Sequence, residues 1–72
     1  MKEIRKKLGQ RIRVLRKTKG LTQEKLGEKA ELSYKFIGEI ERGQVNPSLD
    51  TLSAIANALG VNIVDLFRDN KD

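Results

Sequence analysis

Ile4, Leu8, Ile12 and Leu15 recur every three or four residues. This is the apolar stripe of an amphipathic helix, and the pattern places that helix over about Lys2 to Thr18, with Gly20 as its C-terminal stop. Thr22 then caps a second helix ending near Ala30, and Leu21 ahead of the cap packs back on Leu26 as a hydrophobic staple. Lys25 stands where a full capping box would carry Glu, so only half of that motif is present. Glu31 and Leu32 make a turn, and Ser33 caps a third helix through about Arg42, with Ile37 and Ile40 as its buried phase and Gly43 as its stop. Gln44 to Pro47 reads as a loop. A fourth helix runs from about Ser48 to Leu59 on the stripe Leu49, Leu52, Ile55, Ala56 and Leu59, and Gly60 ends it. Asn62 caps a last short helix, Ile63 to Arg68, whose Val64, Leu66 and Phe67 close the bottom of the core. No segment alternates with the period of a strand. The pattern predicts an all-α fold, a compact bundle of about five short helices over residues 1–68, with a polar tail at 69–72 that frays.

The second and third helices are joined by so few residues that they must cross steeply. The arrangement is a helix-turn-helix, and it leaves the third helix with an outward face free to lie in a DNA major groove. With Ile37 and Ile40 inward, Glu41 also points inward, while Tyr34, Lys35, Gly38, Glu39 and Arg42 fall on the outer side. Lys35 can donate to guanine O6 and N7, Glu39 can accept from a cytosine amino group, and Tyr34 offers a hydroxyl and a ring edge to thymine methyls. A plain solvated helix face is the alternative reading of the same residues. Gly38 in mid-helix costs about 1 kcal/mol relative to Ala, which points to a close approach there by the groove or by a neighbouring helix. Backbone and groove-flanking contacts are expected from Gln23, from the caps Thr22 and Ser33, from Gln44, Asn46 and Ser48 in the following loop, and from the flanking arginines Arg11 and Arg42. Ordinary capping and loop polarity would place the same residue types there.

Composition sharpens this picture by exclusion. The chain has 72 residues, 35% of them charged, and a net charge of +5. Met1 to Gly20 carries +8 and the remainder −3, so the positive field precedes and surrounds the helix-turn-helix. There is no Cys and no His. Disulfides, thiolate nucleophiles, a His general base and the common zinc sites are therefore ruled out, and no metal, cofactor, small-molecule ligand or enzymatic activity is expected. No apolar run approaches a membrane span or a signal-peptide core, so a cytoplasmic protein without membrane contact is expected.

The ordered pieces TQEKLGEKAELS, IGEIERG and NPSLDTLSAIANALGV resemble the phage repressor and Cro-like, Xre-type helix-turn-helix family, and the resemblance covers nearly the whole chain. It implies a lambda-repressor-like domain of five helices that binds duplex DNA sequence-specifically, as a transcriptional regulator of the repressor kind. A homodimer on a near-palindromic operator would be usual. It also implies that Tyr34, Lys35 and Glu39 read bases, that Gln23 meets a phosphate, and that Arg16 and Glu41 form an ion pair beneath the recognition helix. The chain departs from the family in two places. Gly27 stands where Ala is common, which would let the second and third helices approach more closely. Glu31 stands where Gly is common, in a turn that tends toward a left-handed backbone, and would strain it by about 1 kcal/mol. The apolar residues Val61, Ile63, Val64 and Phe67 are the expected dimer surface. The competing function is a protein-protein interaction module using the fourth and fifth helices.

Overall fold

A computed structural model describes residues 2–70. Four α-helices, α1 (Lys2–Thr18), α2 (Gln23–Ala30), α3 (Tyr34–Glu41) and α4 (Leu49–Leu59), are followed by a 3₁₀ segment at Ile63–Phe67, and no strand occurs among the described residues. Of the tail expected to fray, residues 71 and 72 lie outside the described residues.

Local chemistry sets the boundaries. Thr22, Ser33 and Ser48 each accept a backbone N–H into the side-chain oxygen, from Lys25 at 3.0 Å, Phe36 at 3.0 Å and Thr51 at 3.1 Å. These bonds satisfy amides that the first helical turn leaves without partners. At the other ends, the three glycines marked as stops, Gly20, Gly43 and Gly60, all have φ of +73°. The last element differs from expectation: it is a 3₁₀ segment rather than an α-helix, and it ends at Phe67. Five residues are too few to repay α-helical nucleation, and the Asp65 N–H bond to the Asn62 carbonyl at 2.9 Å is the three-residue closure of the tighter turn.

The core consists of Leu8 and Ile12 from α1, Leu26 and Ala30 from α2, Ile37 and Ile40 from α3, Leu52, Ile55, Ala56 and Leu59 from α4, and Leu66. Four residues expected in it are instead exposed: Ile4 at 53%, Leu49 at 72%, Val64 at 63% and Phe67 at 52%. Helix phase explains the first two. Steps of four overshoot a turn by about 40°, so Ile4 has swung about 80° from Ile12. Steps of three fall about 60° short, so Leu49 sits about 120° from Ile55. In the 3₁₀ segment residues three apart share a side, so Ile63 turns inward with Leu66 while Val64 turns outward with Phe67.

Two backbone approaches fix the helix-turn-helix. A Cβ on Gly27 would lie 2.5 Å from the Leu32 carbonyl oxygen, so the turn closes against bare α2 backbone. A Cβ on Gly9 would collide with the carbonyls of Ile40 and Glu41, so α1 crosses the end of α3 at backbone contact. The turn itself passes through Glu31 at φ 59° and ψ 41°, the one non-glycine with positive φ among the described residues. Its left-handed geometry lets the Leu32 N–H reach the Gly27 carbonyl at 2.8 Å and close the end of α2.

Candidate nucleic-acid interface

Beneath α3 lies a polar cluster that the apolar core does not reach. Arg16 of α1 donates from Nε to Glu41 Oε2 at 2.6 Å and from Nη2 to Oε1 at 3.1 Å, while its Nη1 donates to the Leu21 carbonyl at 2.8 Å. Both side chains are buried, at 9% and 2% exposure. Gln23, the first residue of α2, donates from Nε2 to Glu41 Oε1 at 3.1 Å. One carboxylate thus ties three helices together and accepts three charge-assisted or amide bonds, which is what a charge at this depth requires.

On the outer side of α3, Tyr34, Lys35 and Arg42 are exposed and Glu39 is half-buried. The caps Thr22 and Ser33 are exposed at the starts of α2 and α3, so the free amides of both helices open toward solvent beside these residues. Gln44, Asn46 and Ser48 are exposed on the connection to α4, and Gln44 Oε1 accepts from Arg42 Nε at 3.2 Å. Arg42 joins these parts, lying beside Gln23 over Gly38 and bonded to Gln44, so the start of α2 and the first residue of the following loop meet the end of α3.

Two candidates lie elsewhere. Arg11 sits two residues, about 200° of helix, from the Gly9 contact with α3. It is turned to the opposite flank of α1, where Nε donates to the Asp65 carbonyl at 2.7 Å and Nη1 to Asn70 Oδ1 at 3.4 Å. That arginine fastens α1 to the 3₁₀ segment and does not flank the polar surface. Gly38 was expected on the open face of α3, but it is buried beneath the side chains of Arg42 and Gln23. The bond from Gln23 to Glu41 was not anticipated either. The spacing that marks Gln23 as a helix start carries no sign of an acceptor 18 residues away.

An exposed third helix, capped by Ser33, set on a bonded ion pair and carrying donors along its outer face, defines a helix-turn-helix domain built to present α3. The chain belongs to the helix-turn-helix family, whose pattern matches residues 12–66. It is 52% identical over 56 residues to the immunity repressor protein of Bacillus phage phi105, an alignment covering 78% of this chain and 39% of the phage protein. The control protein C.BamHI of Bacillus amyloliquefaciens is 44% identical over 65 residues, covering 89% of this chain and 80% of that protein. The crystal structure of the restriction-modification controller protein C.AhdI from Aeromonas hydrophila superposes with a TM-score of 0.85 at 44% identity, covering 86% of this chain and 94% of that one. The chain spans less than half the length of the phage repressor it matches.

Proposed function

We propose that this chain is a sequence-specific duplex-DNA-binding transcriptional regulator that represses or controls genes by laying α3 in the major groove. The observation that carries the reading is the outer face of α3, where Tyr34 and Lys35 project over a helix locked from behind by Arg16 and Glu41. A rigidly held helix loses little further order on binding, so contacts at its surface convert into affinity. Lys35 donates to a guanine edge, Tyr34 meets a thymine methyl, and Glu39 accepts from a cytosine amino group. Gln23, Thr22, Ser33, Gln44, Asn46 and Ser48, with the free amides of α2, meet phosphates and set the register. The similarity to an immunity repressor and to controller proteins supports regulation as the outcome.

The protein acts as a binding module and not as an enzyme, because its converging groups are hydrogen-bond donors without an activated nucleophile among them. It works in the cytoplasm, where the duplex is. No helix among the described residues is long and apolar enough to cross a membrane. Two copies pair through the exposed Val64 and Phe67 on the 3₁₀ segment and read a near-palindromic operator with half-sites about 10 base pairs apart.

Selection from a random duplex library, followed by a salt titration on the recovered site, tests this reading. A two-fold-symmetric consensus is expected. With about six to ten phosphate contacts per dimer, affinity should fall by about three to five decades between 50 and 200 mM salt. Recovery of no consensus, or a flat titration, would contradict the proposal.

A further inference from the structure

Gly38 occupies the middle of α3, where a residue without a side chain weakens the helix. Its surroundings differ from those of Gly9 and Gly27. A Cβ at Gly9 or Gly27 would strike the backbone of a neighbouring segment, whereas one at Gly38 would lie 3.0 Å from Arg42 Nη1, 3.6 Å from Arg42 Nη2 and 3.4 Å from Gln23 Oε1. The space that Gly38 leaves is therefore filled by the ends of two flexible polar side chains, and helix packing does not need it.

Both side chains are held from behind. Gln23 is bonded through Nε2 to the buried Glu41 at 3.1 Å, and Arg42 through Nε to Gln44 at 3.2 Å. Arg42 consequently lies back one turn along α3, its Nη groups above Gly38 and beside Gln23, and these groups donate to no acceptor among the described residues. Glu41, the carboxylate that Gln23 meets, is already paired with Arg16.

We propose that Gly38 is a positioning residue of the DNA interface, left without a side chain so that the Arg42 guanidinium folds over it, beside the Gln23 carboxamide oxygen, and donates as a fork to one backbone phosphate. The inference rests on the DNA-binding reading above. A guanidinium with both Nη groups available matches two phosphate oxygens as a fork, and the Gln23 oxygen beside it helps hold the guanidinium in place over Gly38.

The test uses the full chain, with Gly38→Ala, Arg42→Ala and the double variant. Each is measured for melting temperature and for affinity, across a salt series, on the selected operator and on an unrelated duplex. Gly38→Ala should melt a few degrees above the parent, since alanine favours the helix and only side-chain ends must move. The same variant should bind both duplexes about tenfold more weakly, with a log Kd against log salt slope shallower by about 1. The double variant should bind no more weakly than Arg42→Ala alone, because Gly38 acts through that arginine. Parental affinity and slope in Gly38→Ala, strictly additive losses, or a lowered melting temperature would each overturn the positioning role. A loss confined to the operator with the salt slope unchanged would indicate a base contact and overturn the phosphate assignment. A parent chain that binds no duplex would overturn the DNA-binding reading and this inference with it, whereas a binding parent with an unaffected Gly38→Ala overturns this inference alone.

Discussion

The two ends of this domain are stabilised by opposite means. Around α2 and α3 the chain spends buried polar groups, a left-handed Glu31 and two bare-backbone contacts to hold one helix at one angle. Around α4 and the 3₁₀ segment it relies mainly on aliphatic packing, with the Arg11 bond to the Asp65 carbonyl as a polar tie from α1, and leaves Leu49, Val64 and Phe67 outside. Apolar packing is nondirectional and tolerates sliding, while a bidentate carboxylate pair does not. α3 is thus fixed by geometry, whereas the far end leaves apolar side chains exposed.

The largest expected effect attacks the polar end. Arg16→Ala leaves Glu41 buried with the Gln23 amide as its remaining side-chain partner, and should lower stability by about 3 to 5 kcal/mol in chemical denaturation. Loss on that scale is enough to unfold most small domains. A midpoint equal to the parent's would show that the pair does not hold the fold. Gly27→Ala follows, at about 1 to 3 kcal/mol of destabilisation, because its Cβ must displace the Leu32 carbonyl and not a side chain. Thermal melts read it directly, and a stabilised variant would contradict the close approach.

Glu31→Gly should move the other way. It removes the left-handed penalty of about 1 kcal/mol and gains up to about 0.5 kcal/mol after the extra chain entropy of glycine is counted. A lower melting temperature would mean that the Glu31 side chain contributes something the backbone argument omits. The smallest change to the folded monomer is expected at the apolar end. Val64→Ser with Phe67→Ser should alter monomer stability by within about 0.5 kcal/mol, as for exposed sites generally. Sedimentation of that double variant should nevertheless show weakened self-association. Parental self-association would place the dimer surface elsewhere.

What could be read from the sequence divides along the same line. The helices and their caps were legible because Thr22, Ser33 and Ser48 act within three residues of themselves, and the strained turn was legible because Glu31 replaces a residue type that the geometry prefers. The burial of Ile4 and Leu49 was misjudged because spacings of four and three both pass for a helical stripe, although each drifts off the buried line. Gly9 gave no signal, since a glycine inside a good helical pattern does not reveal which backbone crosses it. Arg11 was misassigned because its acceptor is a main-chain carbonyl 54 residues away, and every residue carries one. On the candidate interface, helix phase placed Tyr34, Lys35 and Arg42 outward. It could not show that Arg42 folds back over Gly38, because that depends on side-chain partners from α2 and the following loop.

On the function proposed above, the rigid end reads bases through α3, and Lys35 carries the most specific part of that recognition. Lys35→Ala, titrated against the selected operator and a panel of its single-base variants, tests the claim most directly. The variant should lose about 1 to 3 kcal/mol on the operator and become indifferent at one base position in each half-site, with its melting temperature unchanged. A uniform loss across the panel with every base preference intact would contradict the account and reassign Lys35 to the phosphate backbone.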